Sequence, residues 1–252
     1  MISFFDLYKY GRFGNQLFHI ASTIGIAKKN NLNFGFPEWK ESIHFKNQLP
    51  KLDRYMIELS RKTPNDFRKA ANVVKMSFDY QEMKIQDRQI LTGCMQSWKY
   101  FQDSESIIRH YFEMNEIEKL GKLVSESIGL HFRGGDFGGV YFPRCTKEYY
   151  VKALSLLPHL PVYVFSDEIE TIKQMLSGIK RTFYFVETGN YIYDFYYMRQ
   201  CEHFISSNGT YSWWACWLGD HPDKRVIAPE KWFNKEFFYT AKDIYYPGWE
   251  VI

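Results

Sequence analysis

Strands and helices alternate along the second half of the chain, and this alternation constrains the fold more than any other feature of the sequence. From about residue 127, short apolar runs alternate with helical segments, one of which begins after the N-cap residue Thr146 and stops at Pro158. Strands joined by helices at this spacing form a parallel, doubly wound sheet. The predicted strands are 127–132, 162–165, 181–186, 204–206 and 226–228, and the predicted helices are 146–157, 167–175, 191–201 and 211–218.

The N-terminal part of the chain opens with a β-α-β pattern of its own. Residues 2–5 predict a strand, the following helix ends with Lys28 and Lys29, and residues 32–36 predict a second strand. Residues 37–125 show polar helical stretches at about 64–75 and 103–125, but their order in the fold is not readable from the pattern. Two such regions predict an α/β fold of two Rossmann-like domains, 1–122 and 123–252, facing a cleft.

Charge and cysteine content narrow the functional classes. A net charge of +3 over 252 residues argues against nucleic-acid binding, which usually requires a clustered basic face. Basic residues concentrate at 61–75, where a solvated helix face is the simpler explanation and peripheral contact with a membrane surface is the alternative. The four cysteines have no zinc-site spacing and indicate buried residues in a reducing compartment. Without a signal peptide or an apolar membrane span in the sequence, we expect a cytoplasmic location.

The loop after the strand at 127–132 carries the strongest chemical signal. Open α/β sheets bind ligands beyond the carboxyl ends of their strands, and residues 131–136 (HFRGGD) lie there. Arg133 can offer two parallel N–H groups to a phosphate, while Gly134 and Gly135 allow a ligand to approach the backbone. Asp136 places a carboxylate beside this site. The alternative is a simple salt bridge between Arg133 and Asp136.

A second loop, 206–214 (SSNGTYSWW), follows a predicted buried strand and opens a helix. Its small polar side chains and Gly209 leave several N–H groups at the positive end of the helix dipole, which predicts a seat for a phosphate. Trp213 and Trp214 are explained more simply as core packing than as platforms for a sugar ring.

Two further loops give weaker signals. Residues 11–16 (GRFGNQ) suit either a close ligand approach or a tight strand-to-helix turn. Residues 165–168 (FSDE) favour a helix N-cap formed by Ser166 or Asp167 over a ligand contact. The sequence has no Asp-x-Asp pair of the kind that holds Mg²⁺ or Mn²⁺ in metal-dependent transferases, so a bound diphosphate would be neutralised by Arg133 and helix amides.

Taken together, the motifs at 11–16, 131–136, 165–167 and 206–214 resemble the α-1,2-fucosyltransferases of glycosyltransferase family 11, as does the tail at 227–233 (IAPEKWF). The resemblance is thin over 37–125. It implies a GT-B-type fold whose N-terminal domain is the acceptor side and whose C-terminal domain binds the nucleotide sugar. It also implies inverting, metal-independent transfer of L-fucose from GDP-β-L-fucose to the 2-hydroxyl group of a galactoside. The implied partners are a nucleotide sugar and a glycan acceptor, with no cofactor.

The resemblance also assigns roles to residues at the donor site. Arg133 matches the arginine that grips the β-phosphate of the donor, and His131 matches a residue near the guanosine. Asp194 matches the position at which related fucosyltransferases use a carboxylate to read guanine N1–H and N2–H. The implied donor-binding set is His131, Arg133, Asp167, Asp194, Ser207, Asn208, Gly209 and Thr210.

The implied catalytic residues are Arg133, Asp136 and Asn15. Inverting transfer needs a group that accepts the acceptor's proton, and Asp136 is the candidate because its carboxylate adjoins the predicted phosphate site. The alternative role for Asp136 is to orient Arg133 or the loop. Asn15, with Arg12 and Gly14, would face the cleft from the N-terminal domain, close to the fucose or the acceptor.

The sequence departs from the family pattern at two positions, which leaves the phosphate contact of Arg133 in place. Gly134 stands where the family usually has a second arginine, in His-x-Arg-Arg-Gly-Asp, and Gly209 stands where serine or threonine is more common. One alternative is a fucosyltransferase of another linkage (α-1,6 or α-1,3) or a transferase for another GDP-sugar. The other is a non-catalytic glycan-binding protein, suggested by the 19% aromatic content. A lectin would have no use for two phosphate seats, and a Phe/Tyr-rich core explains the aromatic content more simply.

Overall fold

The computed structural model describes residues 1–62, 72–116, 126–234 and 240–252. The chain divides into two compact units, one made of Met1–Asn115 with Lys242–Ile244 and the other of Glu116–Ala241 with Tyr245–Ile252. The predicted domain boundary at 122, the predicted helical residues at 64–71 and 117–125, and Arg68 and Lys69 of the basic cluster lie outside the described residues.

The first unit contains a small parallel sheet. Among the described residues it has three strands in the order β1-β3-β2, and Ile90 of β3 lies in register with Ser3 of β1 and Val73 of β2. The long helix α1 is buried along nearly its whole length, and its Gly25 lies so close to the backbone of Phe101 that a Cβ would sit 2.6 Å from Phe101 Cα. The elements are β1 Ser3–Phe4, α1 Phe13–Lys29, α2 Arg54–Lys62, β2 Val73–Met76, β3 Ile90–Gly93 and α3 Glu105–Tyr111, with 3-10 helices at Lys40–His44, Trp98–Tyr100 and Gln102–Ser104.

The prediction of a second strand at 32–36 is wrong. Phe34 and Phe36 form only isolated bridges, to Ile2 and Lys51 respectively. The backbone oxygen of Lys51 comes so near Gly35 that a Cβ there would lie 2.6 Å from it. The segment also exchanges two backbone hydrogen bonds with Ile2, but neither contact extends into a ladder. The strand that forms a ladder with β1 is β3, which is far away in the sequence.

The second unit is built on a larger parallel sheet, which has six strands among the described residues in the order β6-β5-β4-β7-β8-β9. The chain runs outward from β4 to β6, then returns to the other side of β4 with β7. This order places a topological switch point between β4 and β7. The elements are β4 Ile128–Phe132, α4 Lys147–Leu156, β5 Val162–Ser166, α5 Ile169–Leu176, β6 Phe183–Val186, α6 Tyr191–Met198, β7 His203–Ile205, α7 Thr210–Leu218, β8 Val226–Ala228 and β9 Glu250–Val251.

The predicted alternation of strands and helices from residue 127 onward is confirmed, with boundaries that shift by up to three residues. Every residue of β4 is buried, as expected for a central strand covered on both faces. Trp213 and Trp214 are fully buried, which confirms that they pack in the core. Cys145, Cys201 and Cys216 are buried and Cys94 is partly buried, and all are free thiols. Among the described residues, no helix is long and apolar enough to cross a membrane.

At the amino ends of the strands in this sheet, basic side chains bind helix carbonyls. Arg181 donates from Nη2 to the carbonyl oxygens of Leu154 (2.6 Å) and Leu157 (3.0 Å), at the end of α4. Arg225, next to β8, donates to the carbonyl oxygen of Leu156 (2.6 Å) and forms a two-pronged ion pair with Glu250 (2.9 and 3.0 Å). These donors satisfy carbonyl groups that a helix leaves open at its C-terminus.

Candidate functional site

The candidate site lies at the carboxyl ends of β4, β5 and β7 in the second unit. Because β4 pairs with both β5 and β7 in parallel, the segments that follow the three strands start at the same edge of the sheet. These segments are residues 133–138, which we call the β4 loop, residues 167–168, and residues 206–209. The switch point between β4 and β7 therefore brings together the 131–136 and 206–214 motifs, as predicted from the sequence.

Arg133 is the centre of the β4 loop. Its guanidinium donates from Nη1 to the carboxylate of Asp167 and from Nη2 to that of Asp136, and it lies 5.4 Å from the ring centre of Phe137. The Arg133 side chain is only 16% exposed, whereas Asp136 is 62% exposed. The simple alternative, an ion pair between Arg133 and Asp136, is thus present, and Asp167 adds a second carboxylate that fixes the plane of the guanidinium.

The carboxylates that follow β5 hold the glycine amides of the β4 loop. Asp167 Oδ1 accepts from Gly134 N and Glu168 Oε1 accepts from Gly135 N, each at 2.7 Å. The prediction that Ser166 or Asp167 is the N-cap residue of α5 is wrong, because Asp167 faces the loop and the N-cap position belongs to Glu168. Although several carboxylates surround the loop, no three His, Cys, Asp or Glu residues in the described ranges are arranged to hold a metal ion.

Arg144 also anchors the β4 loop, and the sequence reasoning missed it. It donates from Nη2 to Glu168 Oε1 (2.9 Å) and from Nε to the carbonyl oxygen of Phe137 (2.8 Å). Gly138 makes room for it: φ is +96° there, and a Cβ would lie 3.1 Å from Arg144 Nε. A loop with three glycines has few side chains of its own, so side chains from other segments must define its shape. The glycine content of the loop is therefore the sequence signal that could have pointed to Arg144 and Glu168.

His131 lies at the end of β4, buried and neutral. Its Nδ1 is 2.8 Å from Ser207 Oγ, and its ring centre is 5.2 Å from that of Tyr211. Burial, and then the positive charge of Arg133, lower the pKa of His131 to about 3. The hydrogen bond to Ser207 joins β4 to the segment after β7, so the imidazole of His131 is held in one position at the candidate site.

The side chains of the segment 206–209 are largely committed to other protein groups. Asn208 is buried and donates to the carbonyl oxygens of Pro143 (2.8 Å) and Trp232 (3.1 Å). Ser207 Oγ lies 3.3 Å from Ser212 Oγ in addition to its contact with His131. Gly209 is the N-cap residue of α7, which is described in full and has no acidic residue in its first turn. The segment thus offers a ligand its backbone and a helix N-terminus, which begins at Thr210.

Asp194 lies in the first turn of α6. Its Oδ1 accepts from the hydroxyl group (2.7 Å) and the backbone amide (3.3 Å) of Thr188, which fix the direction of the carboxylate. Burial raises the pKa of Asp194 above its ordinary value. The hydroxyl group of Tyr211 donates to the carbonyl oxygen of Tyr191 (2.6 Å), so the start of α6 is tied to the start of α7.

The predicted residues Arg12, Gly14 and Asn15 belong to the first unit. Asn15 donates from Nδ2 to the carbonyl oxygen of Tyr10 (3.0 Å), and its amide group fills the space where a Cβ of Gly11 would lie. Gly11 has a φ of +114°, so both its backbone conformation and its surroundings require glycine. Arg12 is the exposed N-cap residue of α1, and Gly14 is buried in the first turn. Asn15 therefore braces the turn in which it lies.

Comparison with known proteins places these features in context. The sequence profile of the family described as "Glycosyl transferase family 11" matches residues 1–252. The chain is 29% identical over 167 residues to the Escherichia coli "O-antigen biosynthesis glycosyltransferase WbnK", covering 54% of each protein. It is 28% identical over 162 residues to an E. coli "Alpha-1,2-colitosyltransferase", covering 57% of this chain and 56% of that protein. The matches thus span little more than half the length of these two relatives.

Longer but more distant matches are also found. The chain is 25% identical over 280 residues to human "Galactoside alpha-(1,2)-fucosyltransferase 1", covering 94% of this chain and 75% of that protein. Among solved structures, the Bradyrhizobium fucosyltransferase NodZ superposes with a TM-score of 0.57 at 14% identity, covering 92% of this chain and 96% of that chain. A mutant of Arabidopsis thaliana FUT1 in complex with GDP gives 0.56 at 12% identity, covering 91% and 70%. The structural likeness concerns the fold, and it confirms the predicted α/β, GT-B-type architecture.

Proposed function

This chain belongs to glycosyl transferase family 11, and we propose that it transfers L-fucose from GDP-β-L-fucose to the 2-hydroxyl group of a galactoside. The observation that carries the proposal is the position of Arg133, at the end of β4 beside the switch point, in a loop whose glycines leave the backbone open to a ligand. Such an edge is where open α/β sheets bind nucleotides. The relatives with fucosyltransferase and GDP in their names support the choice of donor.

The donor site in this proposal uses the second unit. Arg133 binds the β-phosphate with its guanidinium, and the backbone of residues 207–211 at the start of α7 supplies further N–H donors. Asp194 reads guanine N1–H and N2–H, a role supported by the fixed direction of its carboxylate. Asp194 must be ionised to accept both bonds, and because burial raises its pKa, the carboxylate is lost at a higher pH than that of an exposed aspartate.

In the proposed reaction, the bond between fucose C1 and the β-phosphate oxygen breaks, and its electron pair leaves with GDP. The acceptor's 2-hydroxyl oxygen forms the new bond from the opposite face of C1, which inverts the anomeric centre. The proton of that hydroxyl group passes to Asp136, which lies exposed beside Arg133. The alternative role for Asp136 is to orient Arg133. The charge on the leaving group is stabilised by Arg133 and the 207–211 amides, without a metal or other cofactor.

We assign binding of the acceptor to the first unit. Asn15, with Arg12 and Gly14, is the group that we propose to lie close to the fucose or the acceptor during transfer. The braced turn that contains Asn15 supports the assignment, because a rigid turn holds a polar group in one position.

Transfer of a colitosyl group is a second candidate function, favoured by the likeness to the E. coli α-1,2-colitosyltransferase. The two candidates share the fold, the family and the proposed phosphate grip, and differ in the sugar. A fucosyltransferase of another linkage, such as α-1,6 or α-1,3, would also share the grip on the donor.

The direct test is to incubate the protein with GDP-fucose, a colitosyl nucleotide, GDP-mannose and UDP-sugars, each with a panel of β-galactosides. The readouts are release of nucleoside diphosphate and the linkage of the product by NMR. We expect GDP release from GDP-fucose and an α-1,2 product. Turnover of the colitosyl donor alone would select the second candidate. Glycan binding with no nucleotide release, and no dependence on Arg133, would contradict both and indicate a glycan-binding protein.

A further inference from the structure

Two arginine–carboxylate pairs hold the β4 loop side by side. In the first, Asp167 pairs with Arg133 and accepts from the amide of Gly134. In the second, Glu168 pairs with Arg144 and accepts from the amide of Gly135. The first pair contains the residue that we propose to bind the phosphate, whereas the second has no role in the proposed function so far.

The second pair contacts the loop at two points, although neither of its residues belongs to the loop. Arg144 reaches back to the carbonyl oxygen of Phe137, so a single guanidinium connects Glu168 to the far end of the loop. A third bond on the Glu168 carboxylate comes from Thr171 Oγ1, 3.2 Å from Oε2, which holds the carboxylate against α5. Glu168 and Arg144 are 28% and 39% exposed, so the pair contributes little to the stability of the whole unit.

Position 134 shows that the loop conformation and the second pair depend on each other. The carboxyl group of Glu168 occupies the space that a side chain at position 134 would need, and a Cβ there would lie 2.7 Å from Glu168 Oε2. With glycine at 134, the loop has no side chain of its own between Arg133 and Asp136. Its shape, and with it the direction of Arg133, therefore relies on anchors from other segments.

We propose that Arg144 and Glu168 form a positioning pair, which holds the β4 loop so that Arg133 meets the donor's diphosphate. The inference rests on the proposed function, because it assumes that a diphosphate binds at Arg133. It assigns Arg144 no contact with the ligand: the side chain acts through Glu168, Gly135 and Phe137.

The test measures the dissociation constants of GDP and GMP by titration calorimetry for the wild-type protein, Arg144→Gln, Glu168→Gln and the double variant. We expect each single variant to weaken GDP binding about tenfold, the scale of one hydrogen bond to a charged group. The double variant should be no weaker than either single variant, because both remove the same interaction. GMP lacks the β-phosphate, so its binding should be unchanged, and the thermal midpoint should move little.

Arg225→Gln is the matched control, since Arg225 forms an ion pair of similar exposure with Glu250 at the opposite edge of the sheet, and it should leave GDP binding unchanged. Loss of GDP binding in Arg144→Gln but not in Glu168→Gln would overturn the inference, because it would mean that Arg144 binds the phosphate directly. Equal weakening of GDP and GMP would overturn it as well.

The positioning pair and the proposed function are contradicted by different results. GDP binding that is weakened by Arg133→Lys but not by Arg144→Gln contradicts the positioning pair alone. A wild-type protein that does not bind GDP contradicts the proposed function and the positioning pair together.

Discussion

The two edges of the larger sheet both carry arginines, but they use them differently. At the amino edge, Arg181 and Arg225 donate to carbonyl groups at the end of α4. At the carboxyl edge, Arg133 and Arg144 donate to carboxylates that also bind the amides of two glycines. The first arrangement ends a helix, whereas the second shapes a loop with an open backbone. The edge of the sheet at which an arginine lies therefore indicates its role, whereas the residue type alone does not.

The direction of the helices explains this difference. In a parallel α/β sheet, helix C-termini, which carry partial negative charge, lie at the amino edge, and helix N-termini lie at the carboxyl edge. Arg181 and Arg225 at the amino edge thus donate to helix carbonyls, and Arg225 also pairs with the carboxylate of Glu250. At the carboxyl edge no helix in the described part of this unit offers its C-terminal carbonyls, and both Arg133 and Arg144 bind a carboxylate, although Arg144 also donates to a carbonyl oxygen of the β4 loop. A phosphate is an anion of the same kind, and the helix N-terminus favours it as well.

The largest expected effect follows from removal of Arg133. In Arg133→Ala, kcat/KM for GDP-fucose should fall by at least 100-fold, corresponding to about 3 kcal/mol of lost transition-state stabilisation, by analogy with the loss of an oxyanion-hole donor. The measurement is steady-state release of GDP. Arg225→Ala removes an arginine from the amino edge and should keep kcat/KM close to that of the wild type. Full activity in Arg133→Ala would break the distinction between the two edges.

Histidines at the two edges should respond differently to acid. The pKa of His131 is about 3, below the ordinary value of 6.5, so the unfolded chain binds a proton that the folded chain excludes. The free energy of unfolding therefore falls as the pH drops below 6.5, by about 2 kcal/mol at pH 5. In His131→Gln, the loss between pH 7 and pH 5 in urea-induced unfolding should be smaller than in the wild type by about this amount.

His203 at the amino edge is the matched control. The pKa of His203 is also lowered, because burial outweighs the opposing effect of the Glu202 carboxylate, which lies 3.5 Å from Nε2. His203→Gln should therefore change the acid sensitivity less than His131→Gln does. Equal changes in both variants would show that burial at the carboxyl edge has no special effect on His131.

The sequence predicted much of this fold because the strands of the larger sheet are apolar runs buried on both faces, separated by helices of ordinary length. β4 and its neighbours are read directly from that pattern. The first unit was harder, because β2 and β3 are short and pair with residues far away in the sequence, such as Ser3 with Ile90. Local pattern carries no information on such pairings, so 32–36 was predicted to be a strand although it forms only isolated bridges.

The candidate site shows the same limit. Arg133 stands in a recognisable motif directly after a strand, so its position was predicted. The pattern around Glu168 predicts only a helix cap and gives no local signal for Arg144, because their contact joins two segments that are 24 residues apart. Asn208 belongs to the predicted donor-binding set, and the pattern does not predict that its side chain also holds the backbone at Pro143 and Trp232. A motif shows which residues gather at a sheet edge but not which of them bind one another.

A smaller effect is expected from a single methyl group in the β4 loop. In Gly134→Ala, the added Cβ would overlap the carboxyl group of Glu168 and displace either the loop or the carboxylate. We expect kcat/KM to fall about tenfold, the size of a modest overpacking penalty. Gly139→Ala is the control, because among the described residues no atom beyond its chain neighbours lies within 4 Å of the Cβ position there, and it should retain activity. If the two variants have the same activity, the space at position 134 does not matter.

The smallest effect is expected at the amino edge, where the ion pair between Arg225 and Glu250 joins the starts of β8 and β9. The two side chains are 40% and 39% exposed, so Glu250→Gln should lower the free energy of unfolding by only about 0.5 kcal/mol, and by less at high salt. Urea titrations at two salt concentrations measure this change, and the Kd of GDP should be unaltered because this ion pair lies at the opposite edge of the sheet from the β4 loop. A change in GDP affinity equal to that of Glu168→Gln would mean that the two edges are energetically coupled, and the comparison on which the other predictions rest would fail.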